Sequence, residues 1–232
     1  MLLIGKWAAL AALGVGAARL VGGWAVVSVE NPPEVLRAGA TYRLEFTVRQ
    51  HGVTLLDGLT PHVVVADPSG RPAAGGGTRV QAQPAGSPGR YVAAFTVPAS
   101  ERVLLTVVSG FGRGRQTELT LLPVRVLRAG ETVAAMASVE RGRQLFVAKG
   151  CASCHLNGDI EEFAHANESY AFGPELTGRA LEAAYVRQRV TNPASLPAIG
   201  SGTLRMPRLD LAAADVDALV AFLSRPRERA AQ

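Results

Sequence analysis

Cys151-Ala152-Ser153-Cys154-His155 constrains this chain more than any other stretch. In a C-x-x-C-H pattern each thiol can form a thioether to one vinyl group of a single porphyrin. The adjacent imidazole then faces the iron, which makes this the attachment spacing of a c-type haem. Both of the chain's 2 cysteines are used, so no disulfide can staple the fold. Two other uses of C-x-x-C fit poorly. A zinc half-site needs a second Cys/His pair at defined spacing, and only His165 lies nearby. A thioredoxin-like redox pair belongs beside a βαβ pattern, which this sequence does not show.

The flanks predict helices that could form a dry pocket around a macrocycle. One spans 139–149, with Ser138 as cap and Gly150 as stop. Gly142 and Phe146 share a face of it, the glycine permitting close approach of another backbone. A second helix spans 181–190 and stops before Pro193. A third spans 211–225 after Asp210 as cap, and its Val216, Leu219, Val220 and Leu223 follow helical periodicity. A haem that cycles electrons takes a second axial ligand, and methionine sulfur is the usual soft partner. Of Met1, Met136 and Met206, only Met206 sits in a loop beyond the second helix, where Pro207 restricts it. Met136 reads as a linker residue. His165 is the rival ligand and would give a bis-histidine haem.

Residues 135–226 resemble class I cytochrome c. The resemblance is carried by Gly142 and Phe146, Cys151 to His155, Gly173-Pro174-Glu175-Leu176, Met206-Pro207 and Ala221-Phe222-Leu223. It implies one covalent haem c held by Cys151 and Cys154, with His155 as proximal and Met206 as distal ligand. It also implies that the Pro174 carbonyl accepts a hydrogen bond from the proximal imidazole and so orients it. The insertion 156–172 departs from a minimal cytochrome, with acids at Asp159, Glu161, Glu162 and Glu168. It reads as a docking lip or a solvated loop.

Residues 24–127 have a different character. Alternating or β-branched runs at 24–29, 42–49, 62–66, 79–83, 91–97, 103–108 and 117–126 are separated by turn-rich pieces such as Asp67-Pro68-Ser69-Gly70. Short strands at this spacing predict an Ig-like β-sandwich. Leu44-Glu45-Phe46-Thr47-Val48, Pro88-Gly89-Arg90-Tyr91 and Phe95-Thr96-Val97-Pro98 resemble the YtkA-like and FixH-like exported sandwich modules. Members of that group occur around copper handling and oxidase assembly, which raises the alternative of a haem-containing metallochaperone. His51 and His62 are the candidate copper ligands; this part of the chain has no Met or Cys for a soft Cu(I) site.

The expected organisation is a signal peptide or membrane anchor at 1–22, the sandwich at 23–127, and a short linker at 128–137. A cytochrome domain at 138–226 and a tail at 227–232 complete it. Lys6 precedes an apolar run with small-residue cleavage sites at 15–17 and 16–18, so the chain reads as exported. The run can also be extended to residue 21 as an anchor. Formal charge is +5, with the excess lying before residue 135. The arginines are scattered singly, which argues against nucleic-acid binding. No acid–base pair or nucleophile accompanies the haem motif, so the expected role is electron transfer and not catalysis. The expected partners are redox proteins or a membrane oxidase or reductase complex, and the expected location is extracytoplasmic, in the periplasm or on the outer face of the cytoplasmic membrane.

Overall fold

The computed structural model describes residues 23–68, 77–112, 118–160, 162, 169–197 and 205–226. The signal peptide or anchor expected at 1–22 and His165 lie outside the described residues, as do Glu161 and Glu168 of the insertion. Among the described residues no helix is long and apolar enough to cross a membrane.

The N-terminal part is two packed sheets. Strands β1 (Ala25–Val29), β3 (Thr41–Gln50), β8 (Arg90–Thr96) and β7 (Gln83–Pro84) run in that order in one sheet, with β4 (Thr54–Leu55) also paired to β3. The other sheet has the order β2 (Val35–Arg37), β11 (Val124–Leu127), β9 (Arg102–Val108), β5 (His62–Ala66) and β6 (Thr78–Gln81), with β10 (Glu118–Thr120) also on β9. Every pairing is antiparallel except β2 with β11. The inner faces meet through Leu44, Phe46, Val48, Tyr91, Val103, Leu105 and Val107, each almost fully buried.

The single strand expected at 117–126 is two. Pro123 has no N–H for the ladder, so pairing with β9 lapses between β10 and β11. The short β2 and β4 carry too few residues to show a period, and they were not foreseen.

Among the described residues three helices follow: α1 (Ser138–Ala148), α2 (Ala183–Thr191) and α3 (Ala213–Leu223). α1 and α3 cross at Gly142, where an added Cβ would overlap the Ala218 carbonyl. Phe146 meets Phe222 there with ring centroids 5.8 Å apart. Two expected caps fail. Ala137 and Ala212 occupy the N-cap positions of α1 and α3 without any side-chain bond, so Ser138 and Asp210 do not cap. α2 is capped by Glu182, whose carboxylate accepts from the Ala184 and Tyr185 amides. Gly150 ends α1 as expected, in the left-handed region at φ 81°.

The helical part is packed on β1. All five residues of β1 are buried, whereas the exposed alternation of β8 and β9 leaves one face less covered. Ala25, Val27 and Val29 point into the sandwich core, and the other face is covered by the helical part. Ser28 Oγ donates to the Lys149 carbonyl at 3.0 Å, and Lys149 Nζ donates to the Glu30 carbonyl at 2.8 Å. Arg141 donates to the Pro32 carbonyl and pairs with Glu34 and Asp215. One apolar cluster runs from the sandwich into α1 and α3.

Candidate haem site

The attachment segment begins where α1 stops. After Gly150 the chain makes a 3-10 turn over Cys151–Ser153, and the Cys154 and His155 amides both bond the Cys151 carbonyl, at 3.1 and 2.9 Å. The returning strand of the insertion zips onto this turn. Tyr170 N donates to Ser153 O, Gly173 N to Cys154 O and Leu176 N to Leu156 O, each at 2.8 Å. The described ends of the insertion are therefore tied down, one to the attachment turn and the other to α1 and Arg225. Arg143 holds its other end through the Asp159 carbonyl and the Glu162 carboxylate, and Arg225 pairs with Asp159.

His155 Nδ1 lies 3.0 Å from the Pro174 carbonyl. A carbonyl can only accept, so the imidazole proton sits on Nδ1 and the Nε2 lone pair is left to donate to a metal. Gly173 lies flat against the ring; a Cβ there would overlap it. Burial lowers the His155 pKa, opposed by the Pro174 bond, so the neutral, ligating form is favoured. Burial pushes the Cys151 thiol up to about 12, with Cys154 adding to the shift, and burial pushes Cys154 up to about 11. A thiol–disulfide pair depends on the opposite shift, toward an accessible thiolate. The two sulfurs are unpaired.

A mostly apolar cavity opens beside this turn, lined by Cys151, Cys154, His155, Leu176, Leu219 and Leu223 among others, and reached by Met206 and Pro207. Met206 is half-buried and packs against the buried cluster of Val186, Val190 and Val216. The structure thus gathers all five residues singled out in the sequence, with Pro174 behind the imidazole and the other four on the cavity wall.

Haem c brings a flat apolar ring and two propionate carboxylates, and this lining suits both. Among the described residues it contains no Asp or Glu, but it does contain Lys149, Arg189 and Arg205. Arg189 is anchored by Nη1 to the Pro193 carbonyl at 3.2 Å and by Nη2 to the Pro197 carbonyl at 3.0 Å. Its buried Nε has no partner. An unsatisfied buried guanidinium N–H on an acid-free wall fits a carboxylate-bearing ligand. Sequence reasoning missed Arg189. Its signal was slight: Tyr185 precedes it by one helical turn, and its guanidinium lies 5.4 Å from that ring.

The two histidines weighed for copper are held apart in topology. His51 follows β3 in one sheet and reaches the haem cavity, while His62 opens β5 in the other, with Arg79 Nη2 3.3 Å from its Nδ1. Among the described residues no three His, Cys, Asp or Glu side chains gather as a metal site.

Residues 137–223 match the family model described as cytochrome c oxidase, cbb3-type, subunit III. No curated protein matches the chain. Among solved structures, the Lin-41 filamin domain is 13% identical, with 44% of this chain and 91% of that one covered at a TM-score of 0.32. A superoxide reductase (neelaredoxin) from Ignicoccus hospitalis is 14% identical, with 44% and 80% covered at 0.29. These two likenesses are too weak to bear on fold or chemistry. The family match falls on the helices that surround the C-x-x-C-H turn: the C-terminal part of this chain is a cytochrome c domain, an electron-transfer module that takes haem c.

Proposed function

We propose that the chain is an exported cytochrome carrying one haem c, bonded to Cys151 and Cys154 and ligated by His155 and Met206. It passes single electrons to or within a membrane oxidase complex. The observation that carries this reading is the His155 imidazole, fixed by Pro174 on the wall of a mostly apolar cavity that Met206 also lines. When bound, haem supplies an iron centre that alternates between ferrous and ferric states. The protein's own part is to hold the proton on His155 Nδ1, to keep water away with apolar side chains, and to offer Arg189 and Arg205 to the propionates. Sulfur ligation and an apolar wall both favour the ferrous state.

The oxidase association is supported by the family description, which names a subunit of a cbb3-type cytochrome c oxidase. The outer face of the cytoplasmic membrane is the compartment consistent with thioether attachment and with the apolar N-terminal run. The sandwich is read as the YtkA/FixH-like module that carries the contact with the complex.

Met206→Ala tests the ligand assignment. Haem stays covalently attached, but loss of the sulfur ligand changes the ferric spectrum from low spin toward high spin. An unaltered spectrum assigns the sixth position to another residue, with His165 the first to substitute.

A further inference from the structure

The cytochrome's cavity has a wall that no cytochrome segment supplies. Trp24, Val26, His51 and Gly52 belong to the sandwich and line the same cavity as Cys151, His155 and Met206. Trp24 is the centre of this wall. Its ring lies 4.5 Å from Tyr170 and 5.0 Å from Phe172 across the domain boundary, and 5.3 Å from His51 on its own side. Tyr170 and Phe172 are stacked with an interplanar angle of 3°. These are the contact distances of packed aromatic rings.

The backbone leaves little room for this wall to drift. Gly150, immediately before Cys151, faces β1 so closely that a Cβ would lie 2.6 Å from the Val27 carbonyl and 2.8 Å from Val26 Cγ1. On the other side of the cavity the turn after β3 approaches the methionine loop: a Cβ on Gly52 would be 3.9 Å from Pro207 Cγ. The sandwich therefore touches the attachment turn at one end and the Met206 loop at the other. β1, buried on both faces, is the element that joins them.

We propose that the sandwich is a structural part of the haem pocket and that Trp24 is a positioning residue that closes its outer edge to water. This rests on the haem assignment above. An indole packed on Tyr170 and Phe172 replaces solvent next to the ring. A drier haem disfavours the extra positive charge of the ferric state, so removing the indole lowers the midpoint potential. The partner accordingly has to approach the haem by an edge the sandwich leaves open. The aromatic residues at the boundary then serve the pocket rather than a partner.

The test is a redox titration of the full-length haem-loaded protein and its Trp24→Ala, Trp24→Phe and Val53→Ala variants. Val53 is 59% exposed on the same domain and outside the cavity. At a fixed potential Trp24→Ala is expected to lower the ratio of reduced to oxidised protein about tenfold, which is about 59 mV for a one-electron couple. Trp24→Phe should keep most of the wild-type ratio, and Val53→Ala all of it. The low-spin spectrum should persist in each, since no iron ligand is altered. Equal ratios in all four proteins, with haem attached and low spin, would overturn the inference and leave the haem assignment intact. Wild-type protein without covalent haem would instead remove the reading on which it rests. If Trp24→Ala fails to fold, Trp24→Leu replaces it with the same lowered ratio expected, and a Trp24→Leu ratio equal to that of wild type and Val53→Ala counts against the inference.

Discussion

Cys151 and Cys154 keep their protons well above neutral pH because burial takes water from the thiolates. Attachment chemistry must therefore act on a segment that is still accessible, before the pocket forms around it. His155 is held neutral by the same burial, a pairing of states that suits ligation to iron. His62 carries a separate consequence. It is 7% exposed, and its pKa is lowered first by burial and then by Arg79. Its folded pKa lies below the unfolded value of about 6.5. Its contribution to stability is thus complete above that pH and is lost as pH falls toward the folded value. Thermal melts from pH 7.5 to 5.5 should show wild type losing stability faster than His62→Gln, by at most about 1.4 kcal/mol per pH unit. Equal slopes would mean that the ring accepts a proton as readily in the folded chain.

At the scale of elements, the α1–α3 crossing sets the shape of the pocket. Gly142→Ala places a methyl group against the Ala218 carbonyl, which cannot move without shifting α3. A loss of about 1–3 kcal/mol is expected in chemical denaturation, the range for overpacking a tight core; an unchanged midpoint would mean that the helices slide freely. This crossing was legible in the sequence from Gly142, Phe146 and the α3 stripe, because helical spacing puts them on facing surfaces. The helix caps were not. Ser138 and Asp210 have the right chemistry, but the chain enters α1 and α3 at alanines. Glu182 caps α2 with a carboxylate that sequence rules rank low. β5 begins and ends where alternation placed it, whereas the run through Pro123 hid a break, and β2 and β4 were too short to reveal themselves. Of the five residues expected at the haem site, Cys151, Cys154 and His155 were suggested by motif spacing and Met206 by its place in a loop after the second helix, while Pro174 came only with the resemblance to class I cytochrome c. Arg189 could not, since its role depends on an unpaired N–H that only packing exposes.

At the scale of the molecule, the sandwich and the cytochrome domain share one buried cluster and a boundary bonded through Lys149, Ser28 and Arg141. The sequence hinted at this only in Ala25-Val26-Val27 of β1, three apolar residues in a row where a strand with one face in water would alternate. A shared core predicts coupled unfolding. Loss of β-sheet signal and loss of the low-spin haem spectrum should coincide on heating, and Val26→Asp should lower both midpoints together. Two separated transitions in the wild-type protein would show that the domains are independent.

The central claim is a porphyrin covalently bound to Cys151 and Cys154. The most direct measurement is the intact mass and visible spectrum of the full chain produced alongside haem-attachment machinery, compared with a Cys151→Ala/Cys154→Ala protein. Wild type should carry the mass of one haem through denaturation and organic extraction, while the double variant should lose its colour under the same treatment. A colourless wild-type chain, or haem that extracts equally from both proteins, would contradict the claim.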